Sequence, residues 1–206
     1  MRKYLLHVLI ISFVFLLVPT ACINRKVEEH FNLGNAYYES GKWKEAIESY
    51  KQAIRIDPDF AYAHNNLGLA YDELDKYEEA IESFKLAIRI DPDDASAHYN
   101  LGTDYGKSGM YEEAIESFKQ AIRIDPDFAY AHNNLGNAYT CSGKYKEAIE
   151  SYRQAIRIDP DYANAHSNLG KAYLDLNRKS YALDQYKILK ELDSELAKKL
   201  FDYIYE

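Results

Sequence analysis

AYAHNNLGLAYDELDKYEEAIESFKLAIRIDPDD, running from Ala61 to Asp94, decides the fold, because it recurs at intervals of 34 residues. An earlier copy runs Val27 to Phe60. Later copies run Ala95 to Phe128 and Ala129 to Tyr162, and a diverged fifth runs Ala163 to Leu196. In the second copy Tyr77, Ala80, Ile81, Phe84, Ala87 and Ile88 fall at spacings of three and four, which puts them on one face of a helix. Asp91-Pro92 ends that helix, since the residue before proline avoids the helical region, so the spacing predicts a helix over Tyr77 to Ile90. A period of this length with helical spacing predicts stacked helix–turn–helix units that bury their apolar faces on one another.

Landmarks stand at fixed phase in every unit. Leu-Gly falls at Leu33/Gly34, Leu67/Gly68, Leu101/Gly102, Leu135/Gly136 and Leu169/Gly170, and a tyrosine follows three residues later at Tyr37, Tyr71, Tyr105, Tyr139 and Tyr173. Ala46, Ala80, Ala114, Ala148 and Ala182 open the second helix's core, and Pro58, Pro92, Pro126 and Pro160 close the first four units. This pattern resembles the tetratricopeptide-repeat (TPR) family over five units, 27–60, 61–94, 95–128, 129–162 and 163–196. The resemblance implies an all-α, right-handed superhelical solenoid whose first helices line a concave groove. His30, His64, His98, His132 and His166 depart from the family by standing where it usually has tryptophan.

The turns and the end of the array are also readable. Gly41, Asp75, Gly109, Gly143 and Asn177 occupy the turn inside each unit, and these residue types tolerate left-handed backbone. On the second helices Glu48/Lys51, Glu82/Lys85, Glu116/Lys119 and Glu150/Arg153 predict i, i+3 ion pairs on a solvated face. In the fifth unit Leu189 replaces a small alanine and Ser194 replaces the proline. Ser194 is expected to cap a helix over 195–206 with Leu196, Leu200, Phe201 and Ile204 on its apolar side, closing the array. Lys51 to Gly68 and Lys119 to Gly136 are identical over 18 residues, which points to growth by copying a two-repeat block.

Residues 1–21 are of another kind. Arg2 and Lys3 precede an apolar run from Tyr4 to Val18, and Pro19-Thr20-Ala21 leads into Cys22. This is the plan of a secretory signal, with an apolar run short of the roughly 20 residues that span a bilayer. A small residue followed at once by cysteine resembles a bacterial lipoprotein processing site, which implies lipidation of Cys22 and a short tether over 22–26. Pro19 departs from the leucine usual there, and plain secretion or an uncleaved anchor are the alternatives. The expected location is an exported protein held at the membrane of a bacterial envelope.

The formal net charge of −8 lacks the cationic excess that phosphate backbones demand, so nucleic acid is not an expected partner. Two cysteines, Cys22 and Cys141, build neither a zinc site nor a disulfide framework. The five periodic histidines, displaced from one another by a helix spacing of about 8–10 Å, cannot converge on one metal ion and are read as packing residues. No catalytic group, cofactor, metal or small-molecule substrate is expected.

The resemblance implies ligand contacts at set positions of each first helix. Carried onto this chain, they give Asn32, Asn66, Asn100, Asn134 and Asn168 as an asparagine ladder, with Asn65, Tyr99, Asn133, Asn35, Asn137, Tyr62 and Tyr130 beside it. An asparagine amide matches the edge of a peptide bond, so the ladder could grip a backbone while the tyrosines supply flat contact area. The same asparagines could equally satisfy neighbouring helices. Only Lys171 is cationic among the second, fifth, sixth and ninth positions of the repeats, which argues against a carboxylate clamp. The expected function is a non-catalytic scaffold that binds a partner peptide or helix. The alternatives are a structural assembly factor of an envelope complex, as in pilotin-type or barrel-assembly lipoproteins, or a substrate-recruiting module for a separate enzyme.

Overall fold

The computed structural model describes residues 24–206, and every regular element among them is an α-helix. The leader and Cys22 lie outside the described residues. Two compact units divide at Pro92/Asp93. The first holds α1 (24–39), α2 (Trp43–Ile56), α3 (Ala61–Asp72) and α4 (Tyr77–Ile90). The second holds α5 (Ala95–Lys107), α6 (Tyr111–Ile124), α7 (Ala129–Cys141), α8 (Tyr145–Ile158), α9 (Ala163–Asp175), α10 (Lys179–Leu192) and α11 (Ser194–Tyr205). Within each unit consecutive helices pack as antiparallel pairs in the expected phase, and α4 has the bounds that the spacing predicts.

The turn between paired helices is set by backbone chemistry. Gly41, Gly109 and Gly143 adopt φ of 69°, 76° and 72°, and Asp75 and Asn177 take 56° at the same place. One left-handed residue lets the next amide turn back onto the tyrosine carbonyl of the first helix. The bonds are Lys42 N to Tyr37 O, 2.9 Å; Lys76 N to Tyr71 O, 3.0 Å; and Met110 N to Tyr105 O, Lys144 N to Tyr139 O and Arg178 N to Tyr173 O, each 2.8 Å. This is how a helix end satisfies carbonyls that have run out of intrahelical partners.

Helix pairs approach closely because glycine faces an aromatic ring. A Cβ built on Gly34 would meet Tyr50 at 2.5 Å, on Gly68 Phe84 at 2.6 Å, on Gly102 Phe118 at 2.9 Å and on Gly136 Tyr152 at 2.5 Å. Each ring is buried on the glycine of its own repeat. The next repeat then adds its leucine: Leu67 packs with Ala46, Ile47 and Tyr50, and Leu135 with Ala114, Ile115 and Phe118.

The last repeat is closed differently. Leu200 of α11, fully buried, approaches Gly170 at 2.6 Å from a built Cβ, taking the place that an aromatic of the second helix holds in the other repeats. Tyr186, at the corresponding place on α10, packs instead against Phe201, 5.4 Å between ring centroids. Leu196 is half-buried and Ile204 buried, but Phe201 is exposed. The expected cap residue is corrected. Asp193, not Ser194, caps α11, its carboxylate accepting from Glu195 N at 2.9 Å and Leu196 N at 3.0 Å. Asp193 is extended while Ser194 is already helical, so only the aspartate points back at the free amides.

Candidate functional site

The expected contact positions lie on α1, α3, α5, α7 and α9. In the first unit the Asn66 amide nitrogen donates to Asn35 Oδ1 at 2.9 Å, and Tyr50 Oη donates to the same oxygen at 2.8 Å. Asn65 is buried and contacts Asn66 Oδ1 at 3.5 Å. Asn32 is exposed on α1.

The second unit carries a longer chain of amides. Asn134 Nδ2 donates to Tyr99 Oη at 3.0 Å, and Asn134 Oδ1 accepts from Asn133 at 3.2 Å and from Asn137 at 3.4 Å. Asn168 Nδ2 donates to both Asn133 Oδ1 and Asn137 Oδ1 at 3.1 Å. Tyr152 Oη donates to Asn137 Oδ1 at 2.9 Å and shares a 3.1 Å hydrogen bond with Thr140. Asn100 is half-buried on α5. The ladder thus ties the first helices of successive repeats together. It is not spent by doing so: each amide nitrogen carries two hydrogens, and the bonds above use one each on Asn134 and Asn137. Asn133, 4% exposed, is confined to the internal role by its burial.

The tyrosines divide in the same way. Tyr99 is packed between Phe118 and Phe128, with centroids at 5.8 and 4.9 Å, and burial raises its hydroxyl pKa. Burial likewise pushes Tyr50 and Tyr152 up to about 12. Tyr62 and Tyr130, at equivalent places on α3 and α7, are 62% and 56% exposed. Tyr130 leans edge-on against Tyr162 at 5.1 Å, and Tyr62 against Phe60 at 6.2 Å.

Several functions of repeated residues escaped the sequence reading. His64, His132 and His166 each place Nε2 on the carbonyl of a proline six residues earlier, Pro58 at 2.9 Å, Pro126 at 3.1 Å and Pro160 at 2.9 Å. A carbonyl only accepts, so Nε2 donates, and the ring pins the loop between repeats to the next first helix. His64, His132 and His166 are thus loop clamps, and the fixed six-residue interval from proline was the signal for it. Of the four expected ion pairs, Glu48–Lys51 and Glu82–Lys85 form, at 3.9 and 3.2 Å. The other two are corrected: Lys119 Nζ lies 5.9 Å from the centroid of Tyr139, and Arg153 donates to Tyr173 Oη at 2.8 Å. Lys51 lies likewise 5.6 Å from the centroid of Tyr71. These cations reach the tyrosine 20 residues ahead, in the next repeat, where a ring face and a partly desolvated cation attract one another. Asp104 is a further exception, a buried carboxylate 3.8 Å from Lys107 Nζ where the other repeats have Ala36, Ala70, Ala138 and Ala172.

Among the described residues no group of three or more His, Cys, Asp or Glu is placed to hold a metal ion, and no helix is long and apolar enough to cross a membrane. Cys141 is a free, exposed thiol.

Family models agree with this architecture. A TPR-repeat model matches residues 34–75, 104–142 and 136–177, and two tetratricopeptide-repeat models match 61–94 and 83–116. The chain belongs to the tetratricopeptide-repeat family. Among curated proteins none matches it. Among solved structures it is similar to a MamA protein, with 29% identity over 81% of this chain and 97% of that one and a TM-score of 0.75. It is similar also to YrrB, a TPR protein described as having an unusual peptide-binding site, with 22% identity, 87% and 97% coverage and a TM-score of 0.73. PilF of Pseudomonas aeruginosa gives 21% identity, 88% and 87% coverage and a TM-score of 0.74. At these identities the last two speak to the TPR fold alone.

Proposed function

We propose that this TPR chain is a non-catalytic protein-interaction scaffold that takes a peptide or helix of a partner on the face lined by its first helices. Membership of the TPR family supports a protein-interaction role. The observation that carries the site is an exposed tyrosine in each unit, Tyr62 in the first and Tyr130 in the second. Each stands on a first helix that also carries ladder amides and is held by an aromatic neighbour, with donors to spare on Asn134 and Asn137 in the second unit. Rigid exposed aromatics next to fixed hydrogen-bonding groups are the usual makings of a binding hot spot. YrrB, whose description names a peptide-binding site, supplies a precedent within the same fold. The leader and Cys22 support an exported lipoprotein of a bacterial envelope, anchored by acyl chains on that cysteine.

One observation favours the assembly factor as a second reading. Leu33 on α1 is 45% exposed and borders a cavity of about 470 Å³ between α1 and α2, whereas Leu67, Leu101, Leu135 and Leu169 are all buried. The first repeat therefore offers an open apolar edge on which a larger complex could build.

A photo-crosslinking residue at Tyr130, expressed in the native host, separates the two readings. A dominant adduct that disappears when Asn100 and Asn134 become alanine supports the groove scaffold. Adducts at Leu33 or at a Lys119 control, with none at Tyr130, sink it in favour of the assembly factor. Mass analysis of the mature N-terminus in the same sample reports whether Cys22 is lipidated.

A further inference from the structure

The 34-residue pattern breaks at one place on the ladder face. Gly106 on α5 stands where the other repeats carry Tyr38, Asp72, Thr140 and Leu174. A Cβ built on it meets nothing within 4 Å. Across from it Phe118 replaces the tyrosine of the first and fourth repeats, so the hydroxyl that reaches Asn35 from Tyr50, or Asn137 and Thr140 from Tyr152, is missing. The two losses coincide, and together they leave a cavity of about 180 Å³.

The lining is graded. Gly102, Phe118 and Ala138 are buried and form an apolar floor, while Asn134, Asn137 and Thr103 stand at the partly exposed rim. The Thr103 hydroxyl is turned back onto Tyr99 O at 3.0 Å, so it offers no donor to an occupant. Asn134 and Asn137 each keep one amide hydrogen beyond those committed to Tyr99 and to the ladder. Size then selects the occupant. Pockets for cofactors and drug-sized ligands run to about 300–1,000 Å³, well above this one. An apolar cavity of about 150 Å³ accommodates a benzene ring, which is the bulk of one phenylalanine side chain.

We propose that this cavity is an anchor pocket for one apolar side chain, phenylalanine or leucine, of the bound partner segment. The spare amide hydrogens of Asn134 and Asn137 donate to carbonyls on either side of that residue. The inference rests on the reading of the first-helix face as the binding face, and it adds what the face selects. The other repeats carry a side chain at the Gly106 position, and Thr140 there reaches the hydroxyl of Tyr152, so an anchor at Gly106 would give the ligand a fixed register.

Cys141 lines the same cavity at its exposed mouth, which permits a direct test without knowing the partner. The full chain with Cys22→Ser is equilibrated with disulfides of N-acylated cysteamine in the presence of β-mercaptoethanol. The Cys141 thiolate attacks the cysteamine sulfur, forming a mixed disulfide and releasing the other half as thiol; β-mercaptoethanol drives the reverse, so no net oxidation occurs. Occupancy of Cys141 is read by mass spectrometry for phenylacetyl, 4-methylpentanoyl, acetyl and succinyl caps. The phenylacetyl and 4-methylpentanoyl caps should be held about tenfold more tightly than acetyl, as burial of a comparable apolar surface implies. Gly106→Leu, which has Leu174 as its counterpart in the fifth repeat, should reduce all caps to the acetyl level; Gly106→Thr, the counterpart of Thr140, should do so in part. Equal retention of all caps in the parent chain, or a preference that survives Gly106→Leu, overturns the anchor pocket. If that happens while the Tyr130 adduct persists, the anchor alone falls. Loss of the Tyr130 adduct removes the binding face itself.

Discussion

Alanine at Gly136 and alanine at Gly106 are the same substitution in two first helices, and the structure assigns them opposite signs. At Gly136 the new methyl would lie 2.5 Å from Tyr152 Cε1 and 2.8 Å from Cζ, against an ordinary contact of about 3.5–4.0 Å. Tyr152 cannot swing aside easily, because it is buried and its hydroxyl is held by Asn137 and Thr140. Overpacking of this kind costs about 1–3 kcal/mol, and the gain in helix propensity returns only about 0.5–1 kcal/mol. Gly136→Ala should therefore lose up to about 2.5 kcal/mol, with about 1 kcal/mol as the central value, at about 2–4 °C in Tm for each kcal/mol in a chain of this size. At Gly106 the methyl meets open space, so only the propensity gain remains and Tm should rise by about 1–4 °C. Thermal melts followed at 222 nm measure both. Because repeat arrays open in segments, amide exchange should show the Gly136→Ala loss concentrated in α7 and α8. A Gly136→Ala chain at least as stable as the parent, or less affected than Gly106→Ala, would refute the close ring–backbone packing on which the repeat is argued to rest.

Three further outcomes follow from the geometry. Tyr50 and Tyr152 have folded pKa values raised to about 12 from the ordinary 10, so their contribution to stability is whole below pH 10 and is lost as pH climbs toward 12; urea midpoints should fall across that window, and less steeply in Tyr152→Phe. Leu200→Ala should cost about 2–5 kcal/mol, because the side chain is fully buried over Gly170, and exchange protection should fail first in α9 to α11. Asp193→Ala should cost about 1 kcal/mol through loss of the cap on α11, while Ser194→Ala should change the melt by a few tenths at most.

Much of this molecule was legible as sequence, and the division between what was and was not follows the range of the interaction. Helix bounds and turn residues depend on spacing within one repeat, so the phase of the repeated glycines, tyrosines and prolines locates them, whereas the ring that covers each glycine had to be seen in the structure. The histidine clamps, the cations over Tyr139 and Tyr173 and the bonds among Asn133, Asn134, Asn137 and Asn168 join one repeat to the next. A period of 34 shows that such residues recur together, but not which partner each one faces. The ladder is the clearest case. Its residue type allowed internal bonding or ligand binding equally, and only its geometry shows one amide hydrogen engaged and one spare on Asn134 and Asn137. The cavity at Gly106 was hidden for the opposite reason, since it arises from two departures whose alignment across α5 and α6 is a matter of packing.

Leu200 over Gly170 has a consequence for how such a gene can change. Gly170 is already covered by Leu200, so a repeat joined after Glu206 could not lay a ring over that glycine. Insertion of whole repeats inside the array, each carrying both a glycine and the ring that covers it, would leave that contact in place. The 18 residues shared by Lys51–Gly68 and Lys119–Gly136 are a homologous pair of sites at which unequal exchange would do this in steps of two repeats, leaving the terminator in place. A second copy of residues 61–128 inserted after Phe128 should fold and raise the melting temperature. The same block appended after Glu206 should melt as a separate, weaker transition.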